Sequence, residues 1–194
     1  MAFSSNSNAG GDQPPAAPVP TETKQTVLVW DPIVRLFHWS LVMAFVVARV
    51  TGDEMQGVHE WAGYAIVGLL VIRIVWGFVG TTYARFCDFI YSPSTIVGFL
   101  IDTIRLRARR YRGHNPAGGA MIIALVIMLV ATAATGIMMT TDAYWGTEWV
   151  EDVHEAAANL SIVLVGLHLV GVFVASVEHC ENLVRAMITG YKRR

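Results

Sequence analysis

Four long apolar segments dominate the sequence, and each is close to the roughly 20 residues that cross a bilayer as a helix. They cover about residues 33–52, 58–80, 118–140 and 151–177. Of the 194 residues, 54% are hydrophobic and only 15% are charged, and the mean hydropathy is +0.49. Because a soluble domain has about a quarter charged residues, we expect an all-α integral membrane protein built as a four-helix bundle.

The distribution of lysine and arginine predicts how the four helices are oriented. The connection over residues 81–117 has six arginines, and the C-terminal tail has further basic residues. The connection over residues 141–153 has no lysine or arginine and four acidic residues. Since connections rich in lysine and arginine stay in the cytoplasm, we expect both termini there and an up-down-up-down topology.

Two segments outside the four apolar ones have their own character. Residues 1–24 are mostly small and polar, so we expect a disordered cytoplasmic tail ahead of a membrane domain over residues 25–194. Ser92-Pro93 predicts a helix start between the second and third spans. The apolar stripe that follows predicts an amphipathic helix on the inner membrane surface: Ile96, Phe99, Leu100 and Ile104.

Four histidines lie in or at the edge of the apolar segments, where an imidazole is costly and therefore indicates function. His154 and His168 are 14 residues apart, which is about 21 Å along a helix and within about 40° of one face. His38 and His59 are separated by a similar climb of about 20 Å. The histidines therefore fall at two depths, His59 with His154 near the outer face and His38 with His168 near the inner face.

Two imidazoles at one depth suit an iron porphyrin, because a low-spin haem b takes two axial ligands and neutral imidazole binds iron. We therefore expect two bis-histidine haem b groups. An alternative for any single histidine is a hydrogen bond to a neighbouring helix. Zinc is another alternative, although a tetrahedral zinc site needs its ligands at one depth. No C-x-x-C-H motif for covalent c-type haem occurs.

Three arginines are candidates to pair with haem propionates, which need partners when they are partly buried. Arg35, one turn before His38, and Arg73, near the inner end of the second span, suit the inner haem, and Arg49 suits the outer one. Arg35 and Arg49 have the alternative of extending to lipid headgroups. Arg73 lies inside an apolar helix, which favours a functional role.

Several motifs accompany these residues: Arg35-Leu-Phe-His38-Trp39, His59-Glu60-x-x-Gly63-Tyr64, Arg73-x-x-Trp76-Gly77, Gly113-His114-Asn115-Pro116-Ala117-Gly118, His154-Glu155 and Glu181-Asn182-Leu183. Together, over about residues 27–193, they resemble the bacterial cytochrome b561 family, whose superfamily includes the cytochrome b subunits of nickel-iron hydrogenases. The resemblance implies a four-helix bundle in the bacterial inner membrane with two b-type haems. It also implies His38, His59, His154 and His168 as their ligands.

The resemblance further implies transmembrane electron transfer between the membrane quinone pool and a redox partner, which is a hydrogenase, a c-type cytochrome or superoxide. The short outer turn between the first two spans favours a c-type cytochrome or a small molecule over a hydrogenase. The acidic 141–153 connection suits a basic docking protein and disfavours steering of the superoxide anion. A superoxide:quinone oxidoreductase, a hydrogenase cytochrome b subunit and a non-redox anchor or transporter stay as alternatives, and we expect no nucleic-acid partner.

Overall fold

A computed structural model describes residues 26–52 and 54–193. Within these residues the chain forms six helices and two short strands. In chain order they are β1 (Thr26–Leu28), α1 (Pro32–Thr51), α2 (Gln56–Val79), α3 (Pro93–Ile104), α4 (Pro116–Met139), α5 (Glu148–Glu178), α6 (Leu183–Thr189) and β2 (Tyr191–Arg193). The predicted tail, residues 1–24, lies outside the described residues.

Helices α1, α2, α4 and α5 are long and apolar enough to cross a membrane. They confirm the four predicted spans, with ends within three residues of the predicted ones. Two of them begin earlier than expected because a side chain caps the helix directly before a proline. Asp31 accepts a hydrogen bond from Val34 N at 3.0 Å, and Asn115 accepts one from Gly118 N at 2.7 Å.

Helix α3, in the connection between α2 and α4, begins as predicted. The Ser92 hydroxyl accepts a hydrogen bond from Thr95 N at 3.3 Å, and Pro93 is the first helical residue. The predicted apolar stripe divides into two faces. Ile96 and Phe99 are half-buried, whereas Leu100 and Ile104 are exposed. Because α3 packs against α4, the half-buried face is the one turned towards the protein.

The long helices pack as a chain of neighbours, α1 on α2, α2 on α4 and α4 on α5. Ile66, Leu70 and Leu129 form the buried centre, with half-buried residues of α1 packed around it. Much of the remaining apolar surface faces outward, as at Phe78 and Phe173, which are 71% and 69% exposed. Such a surface requires a lipid environment, because water would be in contact with most of the bundle.

A polar cap closes the end of the bundle where the described chain begins and ends. Strands β1 and β2 pair antiparallel, and Lys192 donates a hydrogen bond to Tyr111 O at 3.2 Å. Glu181 accepts hydrogen bonds from Arg193 N at 2.8 Å and from the Arg110 guanidinium at 3.1 Å. Burial alone would raise the pKa of Glu181, but these hydrogen bonds lower it overall. The cap therefore holds a charged carboxylate that ties three segments together.

The Asp31 carboxylate fixes the start of α1 against the end of α2. Besides capping α1, it accepts hydrogen bonds from the Trp76 indole at 3.2 Å and the Thr81 hydroxyl at 2.6 Å. At the opposite end of the same pair of helices, the His59 ring contacts the carbonyl of Ala48 at 2.8 Å. These two contacts set the register of α1 against α2, and with it the depth of the histidines on both helices.

Candidate functional site

His59 and His154 face each other across the bundle. His59 lies in the first turn of α2 and His154 in the second turn of α5, and their ring centres are 6.1 Å apart with the planes at 77°. Both side chains are half-buried. The structure thus brings together the two residues that the sequence placed at the outer depth.

Hydrogen bonds orient both rings through the same nitrogen. His59 Nδ1 lies 2.8 Å from Ala48 O, and His154 Nδ1 lies 2.9 Å from Thr132 O. A carbonyl oxygen only accepts, so each Nδ1 carries the proton and each Nε2 keeps its lone pair. A bond of this kind fixes the orientation of a metal-binding imidazole and raises its basicity.

The spacing of the two rings fits a shared metal ion. A metal–imidazole bond is about 2 Å long and the ring centre lies about 1 Å beyond the nitrogen, so two imidazoles on opposite sides of one iron have centres about 6 Å apart. The 6.1 Å separation of the His59 and His154 centres agrees with this. Within the described ranges, no three histidine, cysteine, aspartate or glutamate side chains are grouped around a common point for a metal ion.

Gly136 of α4 makes room for the His154 ring. A Cβ atom at this position would lie 3.1 Å from His154 Cε1 and 3.4 Å from its Nδ1. Gly136 follows Thr132 by one helical turn, so its missing side chain leaves the Thr132 carbonyl open to the ring. Helix α4 contributes no histidine, yet it orients one.

His38 and His168 are the two histidines that the sequence places at the inner depth, and both are half-buried. Neither ring forms a hydrogen bond to any described residue, and His38 Nδ1 is buried without a partner. An unpaired buried polar atom costs about 1–3 kcal/mol. The lack of a hydrogen-bond partner therefore favours a ligand role for His38 over the alternative, a hydrogen bond to a neighbouring helix.

Ser161 lies midway between the two histidine levels on α5. It follows His154 by seven residues and precedes His168 by seven, it is fully buried, and its hydroxyl donates to Ala157 O at 2.9 Å. Its own helix thus satisfies its polar group. Residues at this spacing share one helix face, so the ligand face of α5 is continuous from one level to the other.

Four of the glycines in the spans have no close neighbour. A Cβ atom at Gly63, Gly68, Gly166 or Gly171 would meet nothing within 4 Å among the described residues. Close helix–helix packing, which is the usual reason for such glycines in a membrane, therefore does not explain them. Space beside a helix backbone suits the approach of a flat porphyrin.

The three predicted propionate partners have different surroundings. Arg73 is buried, donates to Ala84 O at 3.0 Å and lies against the Phe86 and Phe89 rings at 5.2 and 5.6 Å. It therefore anchors the connection after α2, a role that the sequence did not reveal. Arg49 is exposed near the outer end of α1.

Arg35 lies in a third kind of environment, a surface groove with a volume of 270 Å³. The groove is open to the surface at the start of α1. The other residues that line it are Pro32, Leu36, Trp39 and Ile188. The guanidinium Nε of Arg35 is buried without a hydrogen-bond partner.

His114 is held between two aromatic rings rather than in a polar turn. Its ring centre lies 4.6 Å from that of Trp30 and 4.8 Å from that of Phe89. Burial, with smaller effects from Arg73 and Lys192, lowers the pKa of His114 to about 3, so the ring is neutral near pH 7. Trp30 and Phe89 are distant from His114 in sequence, so no local sequence pattern predicts the stack.

Four helices that are long and apolar enough to cross a membrane, with two imidazoles facing each other across the bundle, are typical of the membrane-embedded b-type cytochromes. A family model described as prokaryotic cytochrome b561 matches residues 29–190. The chain belongs to this family, which confirms the resemblance drawn from the sequence motifs. Membership makes it a multi-pass membrane protein of the haem b type.

Several relatives match nearly the whole chain at low identity. The probable Ni/Fe-hydrogenase 1 B-type cytochrome subunit of Escherichia coli K12 is 24% identical over 211 residues, covering 84% of this chain and 89% of the relative. The corresponding subunit of Rhizobium leguminosarum bv. viciae is 20% identical over 215 residues, covering 86% and 89%. That of Azotobacter vinelandii is 24% identical over 217 residues, covering 87% and 90%.

Replacing Gly136 with alanine should disturb the outer haem alone. The added Cβ presses on the His154 ring and tilts it away from the Thr132 carbonyl, so the electron paramagnetic resonance signal of one of two low-spin haems shifts. Gly98→Ala on α3 is the matched control, because its Cβ meets nothing within 4 Å and it lies outside the four spans. Identical spectra for Gly136→Ala and wild type would show that this contact does not position a ligand.

Proposed function

We propose that the protein carries electrons across the bacterial inner membrane through two bis-histidine haem b groups. His59 and His154 hold the outer haem, and His38 and His168 hold the inner one. The observation that carries the proposal is the outer pair: two rings 6.1 Å apart, each with Nδ1 hydrogen-bonded to a backbone carbonyl and Nε2 left to bind iron. Haem supplies one-electron chemistry when bound.

The protein's own residues orient the ligands and keep water out. The apolar cluster of Ile66, Leu70 and Leu129 lies within the bundle, and Ser161 between the levels has its hydroxyl bonded within its own helix. The two levels are about 21 Å apart along α5. A dry interior over that distance favours passage of electrons rather than protons. Arg49 and Arg73 remain our predicted partners for the haem propionates.

The proposed orientation places both termini and the connection between α2 and α4 in the cytoplasm, with an up-down-up-down arrangement of the four spans. The supporting observation is the concentration of arginine in that connection and its absence from residues 141–153. We place α3 in the inner membrane interface, with Ile96 and Phe99 against the protein and Leu100 and Ile104 against lipid.

Quinone in the membrane is the proposed partner at one end of the electron path, and a basic c-type cytochrome at the outer face is the other. The first two turns of α5 expose four carboxylates near the half-buried His154: Glu148, Glu151, Asp152 and Glu155. Trp145 beside them is 80% exposed. Complementary charge accelerates docking of redox partners.

A second candidate function is that of a hydrogenase cytochrome b subunit. The relatives whose names describe such subunits match this chain over most of its length. In that case the outer face would receive electrons from a hydrogenase instead of exchanging them with a soluble cytochrome. The haem ligands are the same in both proposals, so only experiments at the outer face separate them.

A redox titration of three single-alanine variants tests the ligand pairs. His59→Ala should remove one haem component and His168→Ala the other, because the two histidines belong to different levels. His179→Ala, a half-buried histidine outside both pairs, should keep both components. Loss of the same component in His59→Ala and His168→Ala would refute the assignment of levels.

Charge reversal at the outer face tests the partner. In nanodiscs, Glu151→Lys with Asp152→Lys should slow electron exchange with a basic mitochondrial-type cytochrome c about tenfold at low salt and flatten its dependence on ionic strength. Asp102→Lys on α3 is the control, since that exposed carboxylate lies on the inner side. Equal rates for wild type and the double variant would remove the proposed docking surface and favour the hydrogenase role.

A further inference from the structure

A groove opens at the inner end of the molecule between the start of α1 and α6. It has a volume of 270 Å³ and is lined by Pro32, Arg35, Leu36, Trp39 and Ile188. Leu36 is 71% exposed and Ile188 is 54% exposed, so the walls are apolar and open outward. In the proposed orientation this is the depth of the cytoplasmic headgroups.

Arg35 is an uncompensated cation in this groove. Its Nε is buried and has no hydrogen-bond partner. Among residues 26–52 and 54–193, no carboxylate lies within 4.0 Å of its guanidinium and its side chain forms no hydrogen bond. A partly buried guanidinium without a partner is costly, and a phosphate or carboxylate matches its donors. The groove therefore calls for an anion.

The groove lies to one side of the inner histidines, so an anion from the lipid reaches it more directly than the haem propionate that the sequence predicts for Arg35. At about 100° per residue, the α1 residues that line the groove are centred about 110° around the helix from His38, and Arg35 is the nearest of them at about 60°. The opposite wall, Ile188, comes from α6, which lies outside the bundle. Position and charge together point to a ligand that reaches the groove from the surrounding lipid.

We propose that this groove binds one anionic phospholipid of the inner leaflet. The phosphate is held by Arg35, an acyl chain lies along Leu36 and Ile188, and the Trp39 indole lies at the interface between them. Arg185, exposed on α6 one turn before Ile188, adds positive charge beside the groove. Basic pockets on the cytoplasmic side of membrane helices and interfacial tryptophans suit such a lipid. The bound lipid joins α6 to the bundle.

Native mass spectrometry tests the site in the full-length haem-loaded protein. After release from nanodiscs that contain equal low mole fractions of phosphatidylglycerol and phosphatidylcholine, one phosphatidylglycerol should stay bound per chain in preference to phosphatidylcholine. Arg35→Gln should weaken the apparent affinity for phosphatidylglycerol about tenfold. Arg105→Gln, an exposed arginine of the inner side outside the groove, should leave it unchanged.

A second variant keeps the test independent of Arg35. Ile188→Asp changes an exposed residue and brings a negative charge to the groove, so it should abolish the preference for phosphatidylglycerol. Equal retention of the two lipids by wild type would overturn the proposal. So would an Arg35→Gln variant that keeps the lipid preference and shifts the midpoint potential of one haem, since Arg35 would then belong to a propionate.

Discussion

The ring N–H of a buried imidazole needs an acceptor, and backbone carbonyls of neighbouring helices provide it for His59 and His154. Ala48 O belongs to the last turn of α1, where carbonyls have no partner within the helix, and it accepts from His59. Thr132 O belongs to the body of α4 and is accessible because Gly136 has no side chain. The two proposed ligands on α2 and α5 therefore depend on two other helices for their orientation.

The site also requires a fixed register between neighbouring helices. Polar contacts at the end of the bundle where α1 starts and α2 ends establish this register. Asp31 ties the start of α1 to Trp76 and Thr81 at the end of α2, and Glu181 ties the C-terminal strand to Arg110. A shift of one helical turn would move a histidine about 5 Å along the membrane normal. The cap thus contributes to the depth of the histidines although it lies beyond the ends of the four long helices.

The spans and the two histidine depths follow from the sequence because helical rise and bilayer thickness are fixed quantities. Helix ends shift by up to three residues, and caps at Asp31 and Asn115 explain why α1 and α4 start ahead of the apolar run. The acceptors of His59 and His154 are not predictable, because every residue has a carbonyl and only packing selects one. The contact of Arg73 with Ala84 and the stack of His114 on Trp30 depend likewise on how distant segments fold back.

Family membership identifies the type of cofactor, and the pairing of the imidazoles predicts the number of haems in each chain. Each level offers one pair of imidazoles, so the central claim is two non-covalent haems in every chain. Pyridine haemochrome spectroscopy of the purified protein, with the chain quantified by amino-acid analysis, measures this ratio directly. We expect b-type spectra and two haems per chain. A ratio of one or none would contradict the two bis-histidine sites.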